Sequence, residues 1–201
     1  MVGSVDPLLS RVARWEHLGK RTFSDGTILI APMPTRGSAA YLHRLYGPLS
    51  QDDISDIEER IGSVLPDEIV EFYKFHNGCS LFSGSIKLFG LVRTYRRSDL
   101  EAMERNPIDI VLPALDRRAI HPNSSIQIGA YLDGTRMLIN NDGSVVRVPQ
   151  IGPETVLNTW GGFWIWFLSE IDRISHLYGA DGAELADFEQ IMPAVSPLVA
   201  R

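Results

Sequence analysis

Apolar residues between Ser50 and Leu91 first recur at helical spacing and then alternate, and this switch organises the reading of the whole chain. Ile54, Ile57 and Ile61 share one face of a helix that Ser50 can cap, with Asp53 three residues on, and Gly62 stops it. Pro66 suits the first turn of a second helix, where its missing N–H costs nothing; Ile69, Phe72, Tyr73 and His76 then repeat every three or four residues. Asn77-Gly78 supplies a left-handed exit. After a Ser/Gly turn, residues 85–91 read as a strand, with Ile86, Leu88 and Gly90 on one face and Lys87, Phe89 and Leu91 on the other.

The same reading extends in both directions. Asp6-Pro7 opens a helix carrying Leu8, Val12 and Trp15, and Gly19 ends it. Thr22-Phe23 and residues 27–30 flank Ser24-Asp25-Gly26, the pattern of a hairpin. Ala31 to Gly37, with two prolines and a glycine, reads as loop. Further on, Ser98-x-x-Glu101 is a capping box for a short helix ended by Asn106-Pro107, and residues 110–125 read mostly as loop. Residues 126–131, 136–140 and 145–148, separated by Asp133-Gly134 and Asp142-Gly143, predict a three-stranded meander. From Trp160 to Tyr178 a helix with Trp164, Phe167, Leu168, Ile171, Ile174 and Tyr178 on a broad apolar face should cover that sheet. A short helix around Glu184 to Ile191 and a proline-containing tail close the chain.

Composition narrows the class. The 201 residues are 44% hydrophobic and 22% charged, ordinary material for one globular body. A formal charge of −6 argues against a generic nucleic-acid binder and permits a basic partner. Cys79 is the single cysteine, so no intramolecular disulfide can form and a reducing, cytoplasmic setting is expected. The N-terminus lacks a signal-peptide pattern, and the longest apolar run, residues 163–168, is too short to span a bilayer, so no membrane contact is expected.

Charge is unevenly spread. Residues 52–71 carry eight carboxylates and one cation, Arg60, whereas the stretch before Gln51 is mostly basic. Asp52, Asp56 and Glu59 project opposite the Ile54/Ile57/Ile61 stripe. They read structurally as a solvated helix face whose early carboxylates suit the helix dipole, and functionally as an acidic docking surface. Trp166, off the main apolar stripe of its helix, is the candidate exposed anchor for a partner, against a core reading for Trp160 and Trp164.

Chemistry-bearing motifs are sparse. The five histidines, His17, His43, His76, His121 and His176, form no H-E-x-x-H arrangement, and Cys79 has no second cysteine beside it, so neither metal nor cofactor is expected. Asn140-Asn141-Asp142-Gly143 reads as a hairpin turn rather than a calcium loop. No nucleophile elbow, P-loop or dinucleotide fingerprint occurs. Arg93, Arg96 and Arg97 lack the glycine-rich loop of a phosphate site. His76 and Cys79 read as a packed histidine and an inert buried thiol rather than as a catalytic pair. The chain is therefore expected not to be an enzyme.

The ordered combination Ile54-x-x-Ile57-Glu58-x-x-Ile61-Gly62-x-x-Leu65-Pro66-x-x-Ile69-x-x-Phe72-Tyr73, then His76-Asn77-Gly78, then the apolar strand from Ile86 to Leu91, resembles the SUKH superfamily of Smi/Knr-type domains. That superfamily includes fungal cell-wall-synthesis regulators and many bacterial immunity proteins. The resemblance implies an α+β fold, a mainly antiparallel sheet covered by helices in a SUKH-like single domain. It also implies a non-enzymatic binding protein whose partner is a protein, in bacteria a cognate toxin domain such as a nuclease; the alternative is a regulatory or scaffolding module. The family commonly has a second glycine after Asn-Gly, where this chain has Cys79, and residues 1–41 lie outside the resemblance. The expected division is therefore an N-terminal extension over 1–41, helix plus hairpin, packed on a main domain over 42–179, with a tail over 180–201.

Overall fold

A computed structural model describes residues 6–92, 104–115, 125–151 and 155–185. Arg93, Arg96, Arg97, the capping box at Ser98 and Glu101, His121 and all but the first two residues of the helix expected over 184–191 lie outside them. Among the described residues nine strands form one antiparallel sheet in which every strand pairs with its sequence neighbours, β1 to β9 in order. They are β1 (Lys20–Thr22), β2 (Ile28–Pro32), β3 (Tyr41–Leu45), β4 (Cys79–Leu81), β5 (Ile86–Leu88), β6 (Ile126–Tyr131), β7 (Arg136–Ile139), β8 (Val145–Val148) and β9 (Asn158–Trp160). The α-helices are α1 (Pro7–Val12), α2 (Gln51–Ile61), α3 (Asp67–Tyr73), α4 (Val111–Leu115) and α5 (Phe163–Ser175). This is the expected α+β architecture.

Local signals act as their chemistry requires. Ser50 and Asp53 form a reciprocal capping box at α2, and Gly62 ends that helix in the left-handed region. Asp6 caps α1 by accepting from the Leu8 and Leu9 amides at 2.9 and 3.1 Å, and the chain then tightens into a 3-10 segment, Ala13–Leu18. The turn at Asp142-Gly143 closes the β7–β8 hairpin, with the Asn140 amide donating to Ser144 O at 2.9 Å.

Three strands were not expected. β4 and β9 are three residues long and carry little periodic signal. β3 holds His43 and Arg44 side by side and is largely buried on both faces, so alternation cannot reveal it. Ala31 and Pro32, expected in a loop, extend β2 as far as a pairing of Pro32 with Tyr41. Residues 110–125, expected mostly as loop, include the short helix α4.

These strands change the expected division of the chain. β2 pairs with β3 and β3 with β4, so the line drawn between residues 41 and 42 falls inside a strand of a continuous sheet. Trp15, fully buried, lies 4.9 Å from His43 and 5.7 Å from Phe82 between ring centroids, and its indole N–H donates to Gly179 O at 2.9 Å. Residues 6–41 therefore supply part of the core. A second aromatic block joins α3 to α5, with Phe72 5.6 Å from both Phe163 and Phe167.

α5 starts later than expected, because Trp160 belongs to β9, and its buried face is Phe163, Trp166, Phe167, Glu170, Ile171 and Ile174. Glu170 in the middle of that stripe masks the true register in the sequence. Truncating Trp15 leaves a large cavity and removes one of the two hydrogen bonds to the Gly179 carbonyl, so Trp15→Ala should lose about 3–5 kcal/mol in urea unfolding, whereas Val64→Ala, on a largely exposed residue, should stay within about 0.5 kcal/mol.

Candidate functional site

α2 turns Ile54 and Ile57 inward and leaves Asp52, Asp56 and Glu59 exposed on the opposite face, as their spacing predicts. Asp56 accepts from Arg60 at 3.3 Å, and Arg60 also lies 3.6 Å from Asp109 at the start of α4. Among the described residues Asp52 and Glu59 have no hydrogen-bond or ion-pair partner. At the end of this helix Val64 is 80% exposed. The surface therefore combines unneutralised carboxylates with one projecting apolar side chain. Val64 escaped the sequence reading because it looks like ordinary linker.

The other carboxylates of the acidic run are used internally. Asp53 serves the capping box, and Glu58 accepts from the Leu65 amide at 2.9 Å, fixing the α2–α3 turn. Glu68 accepts from the Phe163 amide at 2.7 Å and so caps α5 from a different element, where a negative charge also suits the helix dipole. Glu71 accepts from the Trp164 indole N–H at 3.4 Å. Proximity in sequence thus concealed a division between carboxylates that hold the fold and carboxylates that face outward.

Trp166 is not an exposed anchor. It is fully buried, its indole N–H donates to the Tyr131 hydroxyl at 2.8 Å, and that hydroxyl donates to Glu170 at 3.1 Å. Arg173 closes the network on Glu170 at 2.8 Å. Burial and the adjacent Glu170 charge push the Tyr131 phenol well above its usual range, so it remains a donor. On the same helix Ile165 is an apolar side chain that points outward, 55% exposed.

His76, Asn77 and Cys79 are structural. The Cys79 thiol is buried, and desolvation pushes its pKa up, so it stays protonated at neutral pH. His76 Nε2 hydrogen-bonds Asp6 Oδ2 at 2.6 Å, joining the N-terminal cap to the end of α3. His43 is also buried; desolvation and the nearby Arg14 charge depress its pKa to about 3, so it is neutral among its aromatic neighbours. Among the described residues no three His, Cys, Asp or Glu side chains converge as a metal site, and no helix is long and apolar enough to cross a membrane.

A helix-backed antiparallel sheet with an outward acidic helix defines the class: an α+β domain. The chain belongs to the SMI1/KNR4 family (SUKH-1), whose pattern matches residues 48–169, more than half of its length. It is also similar to YnaB of Bacillus subtilis (strain 168), with 25% identity over 126 residues, covering 60% of this chain and 74% of YnaB. The family match begins just before the Ser50 cap, so α1 and β1 to β3 lie outside it although they complete the sheet and core.

The Asp6–His76 contact has a pH signature. Burial raises the Asp6 pKa, but the His76 hydrogen bond and charge, with the Leu8 and Leu9 amides, outweigh it and hold the carboxyl below its usual value. A depressed folded-state pKa gives stability that is present above the unfolded carboxylate pKa, ~3.9, and lost as pH falls through the folded value. Asp6→Ala should therefore cost about 1–3 kcal/mol at pH 7 in urea unfolding. The gap to the wild type should narrow towards about pH 3, and a gap of constant size would contradict this assignment.

Proposed function

We propose that this chain is an immunity-type SUKH protein that neutralises a cognate toxin domain by direct contact, without chemistry of its own. The observation that carries the reading is the outer face of α2, where Asp52, Asp56 and Glu59 stand in solvent, with the exposed Val64 in the turn after the helix. Exposed carboxylates spaced along a rigid helix, two of them without a partner among the described residues, attract a basic surface, and nuclease toxins present one to bind their substrate. In this reading the contact occludes the toxin surface, acts in the cytoplasm where such a toxin does its damage, and involves neither nucleic acid nor membrane directly. The chain's formal charge of −6 adds long-range steering in the same direction.

Co-expression with the toxin domain encoded beside it tests the role. Protection is the expected result, and equal killing with and without this chain would sink the proposal. The surface is tested separately: Asp52→Asn, Asp56→Asn and Glu59→Gln combined should slow association about tenfold or more at low salt. The thermal midpoint should stay within a few degrees, because none of the three side chains is buried. Wild-type association should slow as salt rises, by screening. A pull-down that recovers only a housekeeping protein would instead favour a regulatory module.

A further inference from the structure

The sheet face turned away from α5 carries a second charged feature, of opposite sign to α2. Arg21 pairs with Leu29, Leu29 with Arg44, Arg44 with Ser80, Ser80 with Lys87, Lys87 with Ala130 and Ala130 with Arg136. Directly paired residues share a face, so four cations lie in one register row across six neighbouring pairings. In a chain of net charge −6 this concentration of positive charge is against the average.

The middle of the row is roofed. Residues 104–110 cross over it, tied down by Arg21–Glu104 at 3.7 Å and Arg105–Asp25 at 3.4 Å at one end. At the other end the Gly90 amide donates to Ile108 O at 2.9 Å and the Ile110 amide to Gly90 O at 2.8 Å. Between strap and sheet is a cavity of about 200 Å³ lined by Arg44, Tyr46, Ser80, Lys87, Asn106 and Pro107, among others. Its described lining contains no carboxylate. Burial raises the Tyr46 phenol to about 12 against the nearby Arg44 charge, leaving it a donor.

Arg44 is partly engaged, donating to Ala39 O. Lys87, half-buried, has no acceptor for its ammonium among the described residues. A half-desolvated cation beside a guanidinium, a serine hydroxyl and a phenol, in a partly open cavity whose described lining holds no counter-charge, is the donor set that an oxyanion completes. We propose that this cavity binds a small oxyanion, a phosphate or carboxylate group, held by Lys87 and Arg44 with Ser80 and Tyr46 as hydroxyl donors. Clefts for drug-sized ligands run to about 300–1,000 Å³, so the volume sizes the occupant as a free small anion or the terminal group of a longer one.

The test is an amide NMR titration of the full chain with inorganic phosphate and, separately, sodium acetate, against sodium chloride at matched ionic strength. Saturable shifts at Ser80, Lys87 and Asn106, with dissociation constants on the order of millimolar, are expected for at least one of the two anions. Which anion saturates assigns the ligand as phosphate or carboxylate. Lys87→Met, which keeps the length of the side chain, should weaken binding about tenfold, and Ser80→Ala less. Shifts that follow ionic strength alone, or a saturable response unchanged in both variants, would overturn the site.

Discussion

A single buried amide, that of Asn77, joins the parts of this molecule. Its Nδ2 donates to Leu91 O at 2.8 Å and its Oδ1 accepts from the Leu91 amide at 2.6 Å, so the side chain pairs with the backbone beyond β5 as another strand would. The Asn77 amide itself is shared between Tyr46 O and Gly47 O, both at 3.1 Å, tying in the chain after β3. Such close approach requires glycine on both sides. A Cβ on Gly90 would stand 2.3 Å from Asn77 Oδ1, and one on Gly78, whose φ is 79°, would stand 2.6 Å from Leu88 O. One residue earlier, His76 reaches Asp6. The His76-Asn77-Gly78 motif is thus a junction of α3, the sheet and the N-terminal cap, which is why it can mark a fold without marking a binding surface.

The acidic run shows the same division of labour. Carboxylates of α3 are spent on Phe163 and Trp164, fixing where α5 begins, while those on the outer face of α2 remain in solvent. A rigid helix with a defined charged face is what electrostatic steering needs, since donors and acceptors held by packing lose little entropy on contact. The basic row of Arg21, Arg44, Lys87 and Arg136 lies on the sheet face turned away from α5.

Features encoded within one turn of chain were legible in the sequence: the Ser50 cap, the Gly62 stop, the Asn77-Gly78 exit, the β6–β8 meander and the outward set Asp52, Asp56 and Glu59. Features that depend on pairing between distant segments were not. β3 carries adjacent polar residues on a strand largely buried on both faces, so the N-terminal hairpin looked like an appendage rather than the start of the sheet. Trp166 looked exposed because Glu170 occupies the centre of its buried stripe, where Tyr131 and Arg173 satisfy it. The oxyanion cavity was invisible for the same reason: Arg44, Ser80 and Lys87 meet only once three strands are aligned.

The measurement that bears most directly on this account is the urea-unfolding free energy of Asn77→Ala. Removing the amide leaves the buried Leu91 N–H and C=O without their partner and opens a void between Gly78 and Gly90. A loss of about 2–4 kcal/mol is predicted, together with faster hydrogen exchange at the Leu91 amide. A loss within about 0.5 kcal/mol, the range of an ordinary surface substitution, with Leu91 still protected, would contradict the role of Asn77 as the junction on which the fold depends.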